Sequence, residues 1–400
     1  MRNRYIDLLR CLAIVRVVVY HTGGWPILTL AFPAMSVMFA LAGSLMAASL
    51  DRTGPSAVVR RLRRLLPSLW LLAAIFVPAM LLTGGLPVTW RLLLWLAPLH
   101  DPPTNSWGAL ALSAIWYLRD YLWFVLVSPL ALWLFRRAPL LTLLAPYVLL
   151  VVVELRFPGA PLVLRDFGLY FGAWLIGFAH HDGLLRRLSR RVLVPVVAAL
   201  ATFGAWWALT HQGARGYDLN DIRLANATWS TAFTLVLLAL APAGAAWLRH
   251  QAWLDGAVTL LNRRALTIYL WHMPFVIALI PLLDRAGLDP ARSGGFVLHL
   301  AGVVALVAVA VLLTGWVEDL AARRRPELLP LGAGPARTTG ARVPSPRRAP
   351  LVAAGSPTGD GSRGSPPAGT EPGTAPLERS LPAPRTATTT VAAERDASRR

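Results

Sequence analysis

Arg10 and His21 stand eleven residues apart in an otherwise apolar run at the start of the chain. Ionisable side chains inside such a run cost about 2.5–3.5 kcal/mol each to insert into lipid, which makes them functional candidates. Asp7, Arg10, Ile14, Val17 and His21 follow a three-four spacing, so a helix places them on one face. At 1.5 Å per residue, Arg10 and His21 are separated by roughly 16 Å along its axis. A neutral imidazole suits proton abstraction from a hydroxyl, because its pKa lies near working pH. A plainer reading is also open, in which Arg10 snorkels to the headgroups and His21 caps the helix at the opposite interface. Arg16 lies near mid-depth and points away from this stripe, so it is expected to pair with an acid on another helix, Glu154 or Asp120.

Three further clusters follow. In Arg60-Arg61-Leu62-Arg63-Arg64, ahead of Pro67, arginines one turn apart suit a phosphate-bearing ligand, although a basic block that merely fixes topology reads the same way. Trp116, Arg119 and Asp120 fall in one helical run, where the charges are either a structural pair or part of an acceptor site. Tyr269-Leu270-Trp271-His272 puts a second histidine in an apolar run, bonded between helices or catalytic. The single cysteine, Cys11, excludes an internal disulfide and a cysteine-based metal site. No metal-ligand spacing and no Gly-rich phosphate loop is present, so neither a metal nor a resident cofactor is expected.

The elements that must position these residues are transmembrane helices. Of the 400 residues 56% are hydrophobic and only 15% charged, well below the quarter usual for soluble domains. The net charge of +19 is carried by arginine, placed between hydrophobic runs and in the tail, and this disfavours a nucleic-acid partner. Runs long enough to span a bilayer lie near 5–22, 28–49, 66–84, 114–135, 139–156, 165–180, 192–211, 229–248, 265–283 and 297–317. The fold expected is therefore all-α, a polytopic bundle of about ten helices, with 90–99 as a further re-entrant element. With the N-terminus in the cytoplasm, inside segments hold more than twice as many arginines as outside ones, which favours that orientation. Residues 1–325 would form the membrane domain. Residues 326–400, rich in Pro, Ala, Gly and Arg, would form a disordered cytoplasmic tail.

Together these landmarks resemble membrane acyltransferase family 3, the bacterial integral-membrane O-acyltransferases. The resemblance runs from Arg4 to about Glu318. The family's arginine, ten residues and histidine appear as Arg10 to His21, and its Phe-Phe-x-Leu-Ser-Gly stretch as Met38-Phe39-Ala40-Leu41-Ala42-Gly43. Its Arg-x-x-Arg before a proline is Arg61 and Arg64 ahead of Pro67. Its Tyr-Leu-x-His is Tyr269 to His272, and its late acid is Glu318. The chain departs at Ala42 and Ala265, where the family has serine, and Arg16 and Arg119 lie outside the pattern.

The resemblance implies an acyl-CoA co-substrate and a hydroxyl acceptor on a carbohydrate, lipid or secondary metabolite, in a multi-pass protein of the cell (plasma) membrane. Arg61, Arg64 and Arg10 would hold the CoA phosphates, with Arg10 also serving catalysis at the cavity mouth. His21 would act as general base, or would itself carry the acyl group transiently. Arg119, Asp120, Trp116, Tyr269 and His272 are the remaining candidates for cavity or acceptor contacts, as is the segment 84–113 through Trp90, Trp95, His100 and Trp107. The principal alternative is a multi-span transporter or flippase, and no inverted halves or paired broken helices favour it.

Overall fold

The computed structural model describes residues 4–240, 251–289 and 292–328, and the expected tail lies almost wholly outside them. The described chain is helical, with no strand among the described residues. In order the helices are α1 (Arg4–Gly23), α2 (Ile27–Ala31), α3 (Ala34–Thr53), α4 (Ser56–Leu82), α5 (Ser106–Ala111), α6 (Ile115–Arg137), α7 (Pro139–Arg156) and α8 (Leu162–His181). They continue as α9 (Leu184–Arg187), α10 (Arg190–Thr210), α11 (Arg223–Ala239), α12 (Ala252–Arg263), α13 (Ala265–Arg285), α14 (Ser293–Thr314) and α15 (Trp316–Ala321).

Local chemistry sets several boundaries. Pro33 separates α2 from α3, Gly54 at φ 58° turns the chain out of α3, and Pro139 opens α7. Among the described residues, eight helical stretches are long and apolar enough to cross a membrane: 27–53 (α2 and α3 together), 56–82, 115–137, 139–156, 162–181, 190–210, 265–285 and 294–314. Of the other two expected spans, α1 carries Arg4, Asp7, Arg10 and Arg16, and the run at 229–248 is described only as far as Leu240. The stretch at 90–99 is no span. It forms a short 3₁₀ turn, Trp90–Trp95, and Trp70 and Trp123 donate to the carbonyls of Leu96 and Leu99.

The centre of the bundle is the α3–α8 pair, with α8 also packing on α6, α7 and α11. Gly43 and Gly177 let these two helices touch through their backbones. A Cβ at Gly43 would lie 2.2 Å from the Trp174 carbonyl oxygen, and one at Gly177 would lie 2.1 Å from that of Ala40. Phe39, Phe124, Trp174 and Phe178 fill the space around the crossing. By contrast α7 and α10 present leucines and valines outward, as helices facing lipid do.

The charged helix α1 packs against α3, α12, α13 and α14, so its polar stripe is enclosed by protein. Two clamps close the Arg10 end of the bundle. Arg136 donates to Asp51 and Asp182, tying α6 to α3 and the end of α8. His181 joins the same cluster through Asp51, and the guanidinium occupies the place a cation would take there. Arg264, wholly buried between α12 and α13, donates to the Gly315 carbonyl (2.7 Å) and Asp319 (2.8 Å).

Candidate active site

Two cavities enter the bundle from the two ends of α1. The first, of about 230 Å³, is lined by Arg10, Arg61, Arg64, Arg263 and Arg324 together with Tyr117, Tyr121, Tyr269 and Glu318. Its guanidiniums are largely uncommitted. Arg61 donates to the Leu45 carbonyl (3.0 Å), and Arg263 is tied to Asp319 and Glu327. The only acid on the wall among the described residues, Glu318, accepts from the Thr267 backbone N–H (2.7 Å) and from the Thr267 hydroxyl. This places a carboxylate on the N-terminal turn of α13, where helix N–H groups lack partners.

Glu318 lies outside the spans, and burial pushes its carboxyl up from 4.5 to about 6, against the opposing pull of the Thr267 hydrogen bonds. The folded chain therefore keeps a proton between pH 4.5 and 6 that the unfolded chain releases, and this group favours the folded state as pH falls through that window. Glu318→Gln should remove that component, about 1–2 kcal/mol. Thermal denaturation of wild type and variant in detergent across this range reads it, and identical pH slopes would contradict the assignment.

The second cavity, of about 620 Å³, contains His21. α1 contributes Arg16, Tyr20 and His21, α6 contributes Trp116 and Arg119, and α8 contributes Asp166 and Tyr170. Trp116 stacks on Tyr170 with ring centroids 5.4 Å apart. Arg119 is almost fully buried and bound by three carboxylates: Asp101 through both oxygens at 2.7 Å, Asp120 at 3.0 Å, and Asp166. The expected Arg119–Asp120 pair is thus part of a larger cluster, and Asp120 stands behind the cavity wall rather than on it. The segment 84–113 does line this cavity, but through Asp101, Pro102, Thr104, Gly108, Ala109, Leu112 and Ser113 instead of its tryptophans and His100.

Hydrogen bonding fixes the state of the two histidines. His272 Nδ1 lies 2.6 Å from the Tyr269 carbonyl oxygen, which can only accept, so Nδ1 carries the hydrogen. In the neutral ring Nε2 is then an acceptor, and it lies 3.0 Å from His21 Nδ1. His21 therefore donates from Nδ1 and keeps its lone pair on Nε2. An imidazole held in that tautomer is ready to take a proton.

Tyr269 lines both cavities. Its ring stands against Tyr117 (5.0 Å) and His272 (5.5 Å), and its hydroxyl donates to the Ala114 carbonyl (3.1 Å).

Arg16 departs from expectation. Its Nε donates to the Leu28 carbonyl (3.0 Å), and its guanidinium lies 4.7 Å from the centroid of the Tyr20 ring. Neither proposed partner reaches it, because Asp120 is held by Arg119 and Glu154 by Arg165 and Arg223. Nor does it turn away from His21; both line one cavity, which is wide enough for the long side chain to swing in from the neighbouring face.

The acyltransferase domain family model matches residues 3–315. The chain belongs to membrane acyltransferase family 3. Comparison with curated proteins and with solved structures gave no match. The family's landmarks surround the two cavities: Arg10, Arg61 and Arg64 in one, His21 in the other, Tyr269 between them and His272 directly behind His21. Its glycine, Gly43, makes the close α3–α8 contact. The residues that sequence reasoning missed include Arg324, Tyr117 and Tyr121 in the first cavity and Tyr20, Tyr170, Arg215 and Arg223 in the second.

Proposed function

We propose that this family 3 acyltransferase moves an acyl group from acyl-CoA, bound at the Arg10 end, to a hydroxyl acceptor bound at the His21 end. The observation that carries the reading is the shared wall: an arginine-rich cavity and a histidine-containing cavity meet at Tyr269. CoA places its phosphates and its thioester at opposite ends of a flexible arm. The rise from Arg10 to His21, roughly 16 Å, is comparable to that arm.

In this proposal Arg61, Arg64, Arg10 and Arg324 hold the phosphates, and the arginine cavity faces the cytoplasm of a plasma-membrane protein. The acyl end passes Tyr269 into the histidine cavity. His21 Nε2 removes the acceptor hydroxyl proton as the oxygen attacks the thioester carbon. The C–S bond then breaks, and the imidazolium returns the proton to the CoA thiolate. The direct bond from His272 supports this assignment, since it leaves the basic nitrogen of His21 unengaged by its partner.

Radiolabelled acetyl-CoA supplied to purified protein in detergent, with thiol release measured alongside label in the acceptor, tests the reading. Release of CoA matched by acceptor labelling is expected. An intact thioester under all conditions would refute it and favour a transporter.

The donor site has its own test. Arg61→Ala with Arg64→Ala should raise KM for acyl-CoA about tenfold or more, the scale of a lost charge-assisted hydrogen bond. Arg324→Ala should raise it by a smaller factor. Acyl-pantetheine, which has no phosphates, should be affected far less by either change. Equal losses for the two donors would remove the phosphate role.

A further inference from the structure

Among the described residues four arginines line the histidine cavity, and three are ion-paired. Arg119 is bound by Asp101 at 2.7 Å, Arg215 by Asp221 at 2.7 Å, and Arg223 faces Glu154 at 3.6 Å. Arg16 differs. Its partners are the Leu28 carbonyl and the Tyr20 ring, and among the described residues no carboxylate lies within ion-pairing distance. The nearby Asp218 is already engaged by the Tyr20 hydroxyl and by Arg215. Only Nε of Arg16 is used, so the forked edge with its two terminal nitrogens is open to a ligand.

We propose that Arg16 binds an anionic group on the acceptor, so that the acceptor class is an acidic hydroxyl compound bearing a carboxylate or a phosphate. The inference rests on reading this cavity as the acceptor side. An unpaired guanidinium inside a membrane bundle is costly, and its planar fork matches a carboxylate or phosphate through two parallel bonds. With acetyl-CoA the donor does not supply that anion here, because its phosphates belong with the arginines of the other cavity and an acetyl thioester is uncharged. Arg16 and His21 are five residues apart on one helix, a rise of about 7.5 Å, which fits a hydroxyl and an acidic group on one sugar ring or one glycerol head group. The Arg119 wall, where three carboxylates surround one guanidinium, is suited to hydroxyls instead.

Matched acceptor pairs test this on full-length protein in detergent: methyl β-D-glucuronide against methyl β-D-glucoside, and phosphatidylglycerol against diacylglycerol. Binding by thermal shift and transfer from acetyl-CoA are both measured, for wild type, Arg16→Met and Arg16→Lys. Wild type should prefer the acidic member of at least one pair about tenfold or more, the scale of one charge-assisted hydrogen bond. Which pair responds separates a sugar acid from a lipid phosphate. Arg16→Met should bring the preference near unity, and Arg16→Lys should restore part of it, which a variant that merely misfolds would not do. No preference in wild type for either pair would overturn the proposal. So would an undiminished preference in Arg16→Met with both members slowed alike, which would make Arg16 a stabiliser of the reacting oxyanion. Preference in binding without any thioester consumption would uphold the anion site while refuting the acyl-transfer reading.

Discussion

His21→Ala should lower acyl transfer about 10²–10⁴-fold, the span over which a positioned general base contributes. The expectation follows from the geometry: His21 faces the larger cavity, its Nδ1 hydrogen is engaged by His272, and its Nε2 is left basic. The protein should still fold, because removing the ring deletes one bond at a cavity wall and disturbs no helix crossing. Steady-state transfer in detergent, beside a size-exclusion profile, measures both. His272→Asn should lower kcat by a smaller factor with little change in KM for acyl-CoA, because it loosens the ring that fixes the His21 tautomer. An active His21→Ala protein would rule out either chemical role for that residue.

The second large effect is structural. Gly177→Ala would put a methyl group 2.1 Å from the Ala40 carbonyl oxygen and 2.6 Å from the Ser44 nitrogen, and Gly43→Ala would put one 2.2 Å from the Trp174 carbonyl oxygen. All three obstacles are backbone atoms, so relief requires α3 and α8 to separate. Overpacking a tight core costs about 1–3 kcal/mol, and here it falls on the pair that organises the bundle. Yield of monodisperse protein and its melting temperature should drop in either variant, with Gly43→Leu worse than Gly43→Ala. Gly159→Ala makes a control, because nothing approaches that position within 4 Å. If all these variants melted together, the crossing would not be a stability determinant.

How legible the site is from sequence depends on contrast. Arg10, His21, Arg61 and Arg64 stand out because charge is conspicuous against apolar helices, and their spacing puts them at opposite ends of the bundle. Tyr269 and His272 are visible as types, but the bond from His272 to His21 is created by packing α1 against α13, which spacing within either helix does not encode. Asp101 and Asp166 read as loop and helix-end charges, and only the fold gathers them on Arg119. Arg324 sits in a basic stretch that resembles an ordinary topology signal. Arg16 was misplaced for a different reason: a helical wheel assigns a residue to a line on a cylinder, while a guanidinium on a long stem reaches well beyond it. Helix count is limited by the same physics. The charges that make α1 a functional candidate, Asp7, Arg10 and Arg16, are also what separates it from the eight apolar spans.

A protein hollowed from both ends risks short-circuiting the gradients of the membrane that holds it, since water aligned through it would conduct protons. Tyr269 is the side chain common to the linings of both hollows, so a route between them runs past its phenol. Under the acyl-transfer proposal, a long, narrow donor threaded past that phenol would fill the route with its own body.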